Sequence, residues 1–391
     1  MLNTHFSPWP SFTKEEVDAV SNVLLSNKVN YWTGTKCREF EKEFSDWCDV
    51  KYAVALANGT LALDSAFKAI NLGIGDEVIV TSRTYIASAS SIANAGALPV
   101  FVDVEIDSQN IYPNSIQNSI TKNTKAILCV HLAGWPCEMD EIMEIANEYN
   151  LFVIEDCSQA HGAKYKEKPV GSIGHIGCWS FCQDKIISTG GEGGMVTTNN
   201  EALWKKMWSY KDHGKNYKLA HQTTPSNVYR YIHKSFGTNW RMTEMQAVIG
   251  KIQLKRMNVW HAKRLKNANR IWSEARNCKG LRVSIIPKHI EHAAYKCYVF
   301  VETNLLKMDW TRERIIEEIK ILGVPCYSGS CSELYLEECF SDSGIKPNVR
   351  LENAKKLGEE SLMFLVHPTL SNSEIQKTCD VIVSVMKMAS K

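Results

Sequence analysis

The sequence of 391 residues predicts an α/β protein with a large, mostly parallel sheet and a second, smaller α+β domain. Short apolar segments alternate with segments of helical periodicity between residues 60 and 200, a pattern typical of a buried parallel sheet. The length also exceeds what one ordinary hydrophobic core holds. We expect a large domain over residues 1–250, and a long connecting helix with a small domain over residues 251–391.

Two helices precede the predicted sheet. Thr13 and Glu16 form the pattern of a capping box that begins a helix ending near Ser26, and residues 35–47 repeat apolar side chains at helical spacing. The alternation that follows predicts helices at 60–70, 85–95, 139–149 and 201–214, and strands at 76–82, 98–104, 124–132, 151–156, 177–182 and 193–199. Gly214 is the expected stop of the last of these helices.

The remaining chain predicts the connecting helix and the smaller unit. Residues 239–275 read as one long amphipathic helix. A strand at 295–302, a helix at 311–323 and a Gly/Ser/Cys loop at 327–335 follow it. Ser371 and Glu374 begin a last helix with a second capping-box pattern.

Composition excludes several classes of protein. The formal net charge of +2 leaves no basic surplus for coating nucleic acid. The chain has 13 cysteines, an odd number, and none of them form a C-x-x-C pair. This usage is typical of a protein in a reducing cytoplasm. We predict no metal site. The charge-free stretch Thr84–Val102 contains Asn94, Gly96 and Pro99, so we expect a helix and a strand there and no membrane span. We expect a cytoplasmic protein without a signal peptide.

Polar side chains follow one predicted strand at the point where it ends. In VIEDCSQAHGA, Glu155 and Asp156 come directly after apolar residues, and Gln159 and His161 follow them. Ligands of open α/β sheets bind at the carboxyl ends of strands, so these side chains are candidate ligand contacts. An acid in this position is also a common turn or helix N-cap residue, and that alternative stays open.

A second candidate site lies at the start of a helix. Asn58, Gly59 and Thr60 precede its apolar pattern, and the unpaired N–H groups of a helix N-terminus favour a phosphate. The same three residues are also an ordinary turn and cap. The sequence contains neither the P-loop pattern nor a G-x-G-x-x-G between a strand and a helix.

The stretch SFCQDKIISTGGEGGM places Lys185 between Ser180 and a run of glycines. A lysine beside a loop is most often a solvated surface residue. A lysine among buried strands loses hydration, which favours the neutral amine and makes it a nucleophile toward carbonyl groups. The setting therefore allows a Schiff base at Lys185.

Five sequence segments, spread over nearly the whole chain, follow one another in a characteristic order. They are the helix start at 58–60, Tyr85 in SRTYIAS, EDCSQAHGA, SFCQDK with GGEGG, and NWRMTEMQAVIGKIQL. In this order they resemble the DegT/DnrJ/EryC1/StrS family of pyridoxal-phosphate-dependent nucleotide-sugar aminotransferases. The resemblance implies the aspartate aminotransferase type of fold (fold type I) with a seven-stranded sheet in the large domain. It also implies pyridoxal 5'-phosphate as cofactor and pyridoxamine phosphate as its intermediate form.

The resemblance implies roles for individual residues. Lys185 matches the catalytic lysine that forms the Schiff base and later shuttles the proton. Asp156 matches the carboxylate that pairs with the pyridine nitrogen and keeps it protonated. Gln159 matches a residue near the ring hydroxyl, and Tyr85 matches the aromatic that stacks on the ring.

Further matches concern the phosphate and the assembly. Gly59, Thr60 and Ser180 match the phosphate cup. Asn239 matches an asparagine that in relatives reaches the phosphate of the neighbouring subunit. The resemblance therefore implies a homodimer with shared active sites.

The sequence departs from the family where the substrate binds. Tyr295 and Lys296 stand where relatives often have a tryptophan-histidine pair, so Lys296 is a candidate sugar contact, with a surface lysine on an edge strand as the alternative. Further candidate substrate contacts, which also fit ordinary packing, are Tyr31, Trp32, Arg241 and Tyr327.

The resemblance predicts an enzyme that transfers an amino group from L-glutamate to a UDP- or dTDP-linked keto sugar. C4 is the expected position, in bacterial surface polysaccharide (O-antigen or capsule) biosynthesis. One alternative is a C3 aminotransferase acting on a dTDP-3-keto-6-deoxysugar, and another is a non-catalytic ligand sensor of the same fold. A pyridoxamine-dependent sugar dehydratase is disfavoured, because that branch of the family has a histidine in place of Lys185.

Overall fold

The computed structural model describes residues 5–222, 231–340 and 345–391. Its helices are Lys14–Leu25 (α1), Lys36–Trp47 (α2), Gly59–Ala69 (α3), Ala87–Asn94 (α4), Pro113–Gln117 (α5), Met139–Glu148 (α6), Glu201–Lys211 (α7), Tyr217–His221 (α8), Glu244–Lys255 (α9), Met257–Arg276 (α10), Arg312–Ile321 (α11), Glu352–Glu360 (α12) and Asn372–Ala389 (α13). The capping boxes predicted at the starts of α1 and α13 are both present.

The strands form three sheets. They are Tyr52–Leu56 (β1), Glu77–Thr81 (β2), Leu98–Val102 (β3), Thr124–Val130 (β4), Phe152–Asp156 (β5), Lys164–Tyr165 (β6), Lys168–Pro169 (β7), Ile176–Ser180 (β8), Gly194–Thr198 (β9), Leu281–Arg282 (β10), Ile290–Glu291 (β11), Cys297–Val301 (β12), Cys326–Tyr327 (β13) and Ser361–Phe364 (β14). The seven-stranded sheet has the order β1-β9-β8-β5-β4-β2-β3. Within it β9 pairs antiparallel with both neighbours and the other pairings are parallel, which confirms the prediction of a mostly parallel sheet.

Two apolar layers cover the faces of this sheet. Alternate residues of a strand point to opposite faces, so Val54 and Leu56 of β1 pack toward α3 and α7, whereas Ala53 and Ala55 pack toward α2. The β5 strand is divided in the same way, with Ile154 on the first face and Val153 on the second. The carboxyl ends of β5 and β8 therefore meet at one edge of a sheet whose two faces are both buried.

The C-terminal part of the chain builds its own layer. The antiparallel sheet β10-β12-β14-β13 packs against α10, α11 and α13, and their apolar side chains form one core. A third sheet, β11-β6-β7, joins residues 290–291 to the hairpin at 164–169. The boundary between residues 250 and 251 stays a prediction.

The prediction of one long helix over 239–275 is wrong in two respects. Two helices, α9 and α10, meet at Arg256, and the first of them begins later than predicted. The Arg256 side chain turns to α1, where its NH1 lies 2.6 Å from Glu16 and its NH2 lies 2.6 Å from Glu15. The helix begins at Glu244 with Thr243 as its cap, not at residue 239.

Other differences from the sequence predictions are local. The strand β1, the helix α12 and the strand β14 were not predicted, and α7 ends at Lys211, before the expected stop at Gly214. The predicted loop at 327–335 contains the end of β13 and a short 3-10 helix. Across the described ranges the structure has no helix long and apolar enough to cross a membrane.

Candidate active site

One cleft of about 530 Å³ lies at the carboxyl ends of β5 and β8 and at the N-terminus of α3. Asp156 is the last residue of β5, Ser180 is the last residue of β8, and Gly59 is the first residue of α3. The fold therefore brings together three sequence segments that carry predicted contacts. The predicted site residues that line the cleft are Gly59, Thr60, Tyr85, Asp156, Gln159, Ser180 and Lys185.

The start of α3 leaves N–H groups free to bind an anion. The Asn58 side chain caps the helix by accepting the N–H of Leu61 at 2.9 Å, and the N–H groups of Gly59 and Thr60 have no acceptor within the helix. Gly59 lies so close to β8 that a Cβ atom on it would be 2.5 Å from the Ser180 Cβ. The helix start and the Ser180 hydroxyl thus form one narrow cradle that only glycine at residue 59 allows.

Asp156 lies at the bottom of the cleft with 6% of its surface exposed. Its Oδ2 accepts a hydrogen bond from the Ser88 hydroxyl at 3.1 Å, and its Oδ1 accepts the N–H of Ser158 at 3.1 Å. The Ser88 hydroxyl is in turn 2.9 Å from that of Thr84. Two fixed donors orient the carboxylate, and its remaining lone pairs are available to a cationic partner in the cleft.

Gln159 and Tyr85 lie on the walls of the cleft. The Gln159 Oε1 accepts the N–H of Ala133 at 2.8 Å, which directs the amide NH₂ to donate elsewhere. The Tyr85 ring is 70% exposed, and an aromatic ring in that state has a face available to a planar ligand.

Lys185 stands at the mouth of the cleft. Its Nζ lies 3.2 Å from Asp184 Oδ1, and its side chain is 18% exposed. The Tyr295 hydroxyl donates a hydrogen bond to the same Asp184 carboxylate. Burial alone would raise the pKa of Asp184, but Lys185, the Tyr295 hydroxyl and Lys296 outweigh it and hold that pKa below its ordinary value. Asp184 therefore stays ionised beside the lysine.

A second cleft of about 690 Å³ opens from the first. The two clefts share Thr84, Tyr85, Gln159, Asp184 and Lys185 as lining residues, and the second continues to Lys296 and the 329–331 loop. Lys185 therefore stands where a ligand in the inner cleft would meet a ligand in the outer one.

Lys296, the candidate sugar contact, lines the outer cleft. Burial, together with the positive charges of Arg264 and Lys185, lowers the pKa of Lys296 to about 8, although Asp184 opposes them. A large polar cleft next to a reactive amine suits an extended substrate.

Three of the weaker candidates lie away from both clefts. Tyr31 is 1% exposed and packs in the core, where its hydroxyl accepts a hydrogen bond from Trp208 and donates one to Glu41. The Trp32 indole N–H and the Arg241 guanidinium both bind Asp212, each at 2.8 Å. These three residues do not line either cleft.

Two further candidates lie on the surface. Asn239 is exposed, its backbone pairs with that of Asp212, and it is not among the residues that line the inner cleft. Tyr327 is 44% exposed and has the Lys320 ammonium 5.4 Å from its ring centre, outside the lining of the outer cleft.

Sequence reasoning missed two residues that contact the catalytic candidates, and it counted a third, Glu155, among the candidate ligand contacts. Ser88 orients Asp156, and its position one turn after Tyr85 in the same predicted helix is the signal that could have found it. Asp184 pairs with Lys185, and no local pattern indicates its bond to Tyr295.

The third residue, Glu155, faces away from the cleft. Its carboxylate accepts three backbone N–H groups of residues 171–174 and lies 3.0 Å from His131 Nε2, so its role is structural.

Comparison with known proteins agrees with this geometry. The sequence model of the DegT/DnrJ/EryC1/StrS aminotransferase family matches residues 10–383. The chain is similar to an aminotransferase from Psychrobacter cryohalolentis known from its X-ray structure, with 59% identity, a TM-score of 0.96, and coverage of 98% of this chain and 99% of that one.

Characterised relatives share the match. GDP-perosamine synthase of Caulobacter vibrioides is 41% identical over 288 residues, which are 73% of this chain and 74% of that protein. The dTDP-3-amino-3,6-dideoxy-alpha-D-galactopyranose transaminase of Aneurinibacillus thermoaerophilus is 32% identical over 371 residues, 95% of each chain. The chain belongs to the DegT/DnrJ/EryC1/StrS family and is a pyridoxal-phosphate-dependent nucleotide-sugar aminotransferase.

Proposed function

We propose that the enzyme transfers the amino group of L-glutamate to C4 of a UDP- or dTDP-linked keto sugar, in bacterial surface polysaccharide biosynthesis. The observation that carries the proposal is the placement of Lys185 where the inner and outer clefts join. The inner cleft has the size and polarity for a phosphorylated cofactor, and the outer cleft, at about 690 Å³, has the volume for a nucleotide sugar.

The inner cleft fits pyridoxal phosphate on two observations of this structure. The space that a Cβ on Gly59 would fill lies between the free N–H groups of α3 and the Ser180 hydroxyl, which is a cradle for a phosphate. Asp156 keeps unused acceptor capacity and suits a protonated ring nitrogen. Gln159 and Tyr85 would contact the ring at its hydroxyl and its face. When bound, the cofactor supplies an aldehyde that takes up the amino group and a ring that withdraws electrons from the reacting carbon.

Lys185 is the base and acid of the cycle. In the first half-reaction its Nζ takes up the proton from Cα of glutamate and passes it on, and in the second it takes up a proton again and delivers it to the sugar carbon. Asp184, whose Oδ1 lies 3.2 Å from Nζ, stabilises the ammonium form that exists within each half-reaction between uptake and delivery of the proton. Ser88 and the Ser158 N–H hold the Asp156 carboxylate in place throughout, so no reorganisation accompanies the proton movements.

Lys296 contacts the substrate from the outer cleft. Its side chain makes no ion pair among the residues that the structure describes, and a nucleotide sugar brings two phosphate groups. A protonated Lys296 would pair with the diphosphate and so hold the sugar carbon near Lys185.

The active enzyme is a homodimer in this proposal. Asn239 is exposed outside the clefts of its own chain, where it is free to reach the phosphate cradle of a second copy. Mixing Lys185→Ala subunits with Asn239→Ala subunits tests this, because a mixed dimer regains one intact site. We expect activity to return on mixing, and no return would show that each chain works alone.

Amination at C3 is the second candidate reaction. It is favoured by the similarity to the transaminase from Aneurinibacillus thermoaerophilus, whose name states a dTDP-3-amino sugar. The similarity to GDP-perosamine synthases adds GDP to the nucleotides that deserve testing.

One experiment separates these reactions. The cofactor-loaded enzyme is first converted to its amino form with L-glutamate, and UDP-, dTDP- and GDP-linked 4-keto sugars and a dTDP-3-keto sugar are then added separately. We expect the absorbance of the starting form to return with a UDP- or dTDP-linked 4-keto sugar. Return with the 3-keto sugar alone would move the reaction to C3, and no conversion by glutamate would contradict the choice of donor.

A further inference from the structure

The main chain of Lys185 makes one hydrogen bond within the loop that carries it, although the next two side chains, Ile186 and Ile187, are buried in the core. The loop joins β8 to β9 over residues 181–193 and contains no helix or strand. The Lys185 N–H donates to the Cys182 carbonyl at 3.1 Å, and the loop is closed by the Phe181 N–H on the Gly193 carbonyl at 2.8 Å. Since a displacement of about 1 Å at a reacting group can cost about 100-fold in rate, the main chain under Lys185 needs a further anchor.

Trp9 provides that anchor from the other end of the sequence. Its indole N–H donates to the Lys185 carbonyl at 2.9 Å. The indole ring stacks on His367 with the ring centres 5.9 Å apart, and Trp260 meets it edge-on at 5.1 Å. The donor is therefore held by aromatic packing on two sides.

The segment around Trp9 is fixed to the C-terminal part of the chain. The Pro8 carbonyl accepts the Thr369 hydroxyl at 2.8 Å, and Ser7 binds the Glu374 carboxylate through its N–H and its hydroxyl. Residues 7–9 thus connect the start of α13 to the Lys185 loop.

Arg264 joins this anchor to the charged end of the lysine. Its guanidinium carbon lies 4.9 Å from the centre of the Trp9 ring, it is 1% exposed, and NH1 donates to the Tyr295 carbonyl at 3.4 Å. Tyr295 in turn binds Asp184, which pairs with Lys185 Nζ. Lys185 is therefore held at its carbonyl by Trp9 and at its amine by Asp184. Arg264 contacts Trp9 directly, and it contacts Tyr295, which binds Asp184.

Arg264 has no carboxylate partner in the ion pairs of the described ranges, and its Nε and NH2 atoms have no hydrogen-bond partner there. A buried guanidinium without a carboxylate partner costs free energy of folding, so a contribution to stability does not explain why Arg264 lies there. Its contacts with Trp9 and Tyr295 give it a positional role instead.

We propose that Trp9 is a positioning residue for Lys185, supported by Arg264, and that the N-terminal segment thereby sets the reactivity of the lysine. The inference rests on the proposed function in that Lys185 is the residue that binds the cofactor. Trp9 touches neither cleft, so it acts on the reaction only through Lys185.

Trp9→Phe tests the proposal because it removes the N–H donor and keeps an aromatic ring in the stack. Trp204→Phe is the matched control. Trp204 stacks on Tyr52 with the ring centres 4.7 Å apart, and it makes no contact with Trp9 or Lys185 in the ring contacts of the described residues. Stopped-flow absorbance measures the rate at which cofactor-free protein binds pyridoxal phosphate covalently, and steady-state assays give kcat and KM for the keto sugar. Thermal unfolding measures the stability of both variants.

We expect Trp9→Phe to slow covalent cofactor binding and lower kcat about five- to tenfold, the factor equivalent to one hydrogen bond of about 1 kcal/mol. KM for the sugar should change less than twofold, and Trp204→Phe should leave both rates unchanged. Wild-type rates in Trp9→Phe would overturn the proposal, as would equal losses in both variants.

A second variant covers the case in which Trp9→Phe does not fold. Thr369→Val removes the bond to the Pro8 carbonyl and also the 2.8 Å hydrogen bond between the Thr369 hydroxyl and Nδ1 of His367, on which Trp9 stacks. It loosens the Trp9 segment without changing Trp9 itself, and we expect about a twofold loss in the same two rates. Unchanged rates in Thr369→Val would then overturn the inference. Failure of the wild-type protein to bind the cofactor at Lys185 would instead contradict the proposed function.

Discussion

Gly59→Ala perturbs the closest approach of backbone elements in the inner cleft. A Cβ atom at residue 59 would lie 2.5 Å from the Ser180 Cβ, 2.9 Å from its Oγ and 3.0 Å from its Cα. Carbon atoms pack best at about 3.5–4.0 Å, so the start of α3 and the end of β8 must separate by about 1 Å. The substitution therefore tests whether this cradle is as tight as the structure indicates.

Two opposing terms set the size of the effect. Overpacking of a close contact costs about 1–3 kcal/mol, and replacing glycine by alanine in a helix gains at most about 1 kcal/mol. The gain is smaller at the first residue of a helix, so the cost of the close contact exceeds it. We therefore expect a loss of about 1–2 kcal/mol in the free energy of unfolding. The affinity for pyridoxal phosphate should fall at least about tenfold, equivalent to about 1.4 kcal/mol, because the phosphate donors move apart.

Denaturant unfolding of the cofactor-free protein and titration with pyridoxal phosphate measure these two effects. Gly73→Ala is the control, because a Cβ there meets nothing within 4 Å, and its stability should stay within about 0.5 kcal/mol of wild type. In a Ser180→Gly background the main clashing atoms are gone, so Gly59→Ala should cost clearly less than in wild type. Equal costs in the two backgrounds would refute the reasoning.

Three further predictions concern neighbouring groups. Ser88→Ala removes one of the two donors to Asp156, and kcat should fall about five- to tenfold with the cofactor still bound, as steady-state kinetics would show. Lys296 loses its proton as the pH rises through about 8, so kcat/KM for the sugar nucleotide should fall above that pH. In Lys296→Arg, kcat/KM should stay constant to higher pH. The same decrease of kcat/KM at high pH in both proteins would contradict the diphosphate contact. Glu155→Gln places a donor against the N–H groups of residues 171–174, and denaturant unfolding should show a loss of about 3 kcal/mol; a loss below about 1 kcal/mol would contradict its structural role.

The sequence predicted the parallel strands because each is a short apolar run bounded by turn residues and separated by a helical period. It did not predict β1, since Tyr52–Leu56 is rich in alanine and leucine and runs directly into the helical pattern of α3. What defines β1 as a strand is its antiparallel pairing with β9, about 140 residues later in the chain. The break at Arg256 has a similar origin, because the acids that hold its side chain belong to α1.

The residues of the site also divide into those that a local sequence pattern predicts and those whose surroundings depend on distant parts of the chain. Lys185, Asp156 and Ser180 could be predicted because each ends a strand or follows one, and strand ends meet at one edge of the sheet. Asp184 could not be given a role, since its partner Tyr295 comes from a strand region 111 residues further on. Tyr31 gave the same local signal as a ligand contact, and its burial depends on Trp208 and Lys211, which no local pattern connects to it.

The most direct test of the account is to locate the lysine that binds the cofactor. The protein is loaded with pyridoxal phosphate, reduced with borohydride and digested, and mass spectrometry identifies the labelled peptide. Lys185 and Lys296 both line the outer cleft, so the experiment discriminates between two amines in one site. We expect the label on Lys185 alone and none in Lys185→Ala. A label on Lys296 in the wild-type protein, or a Lys185→Ala enzyme that still aminates a keto sugar, would contradict the account.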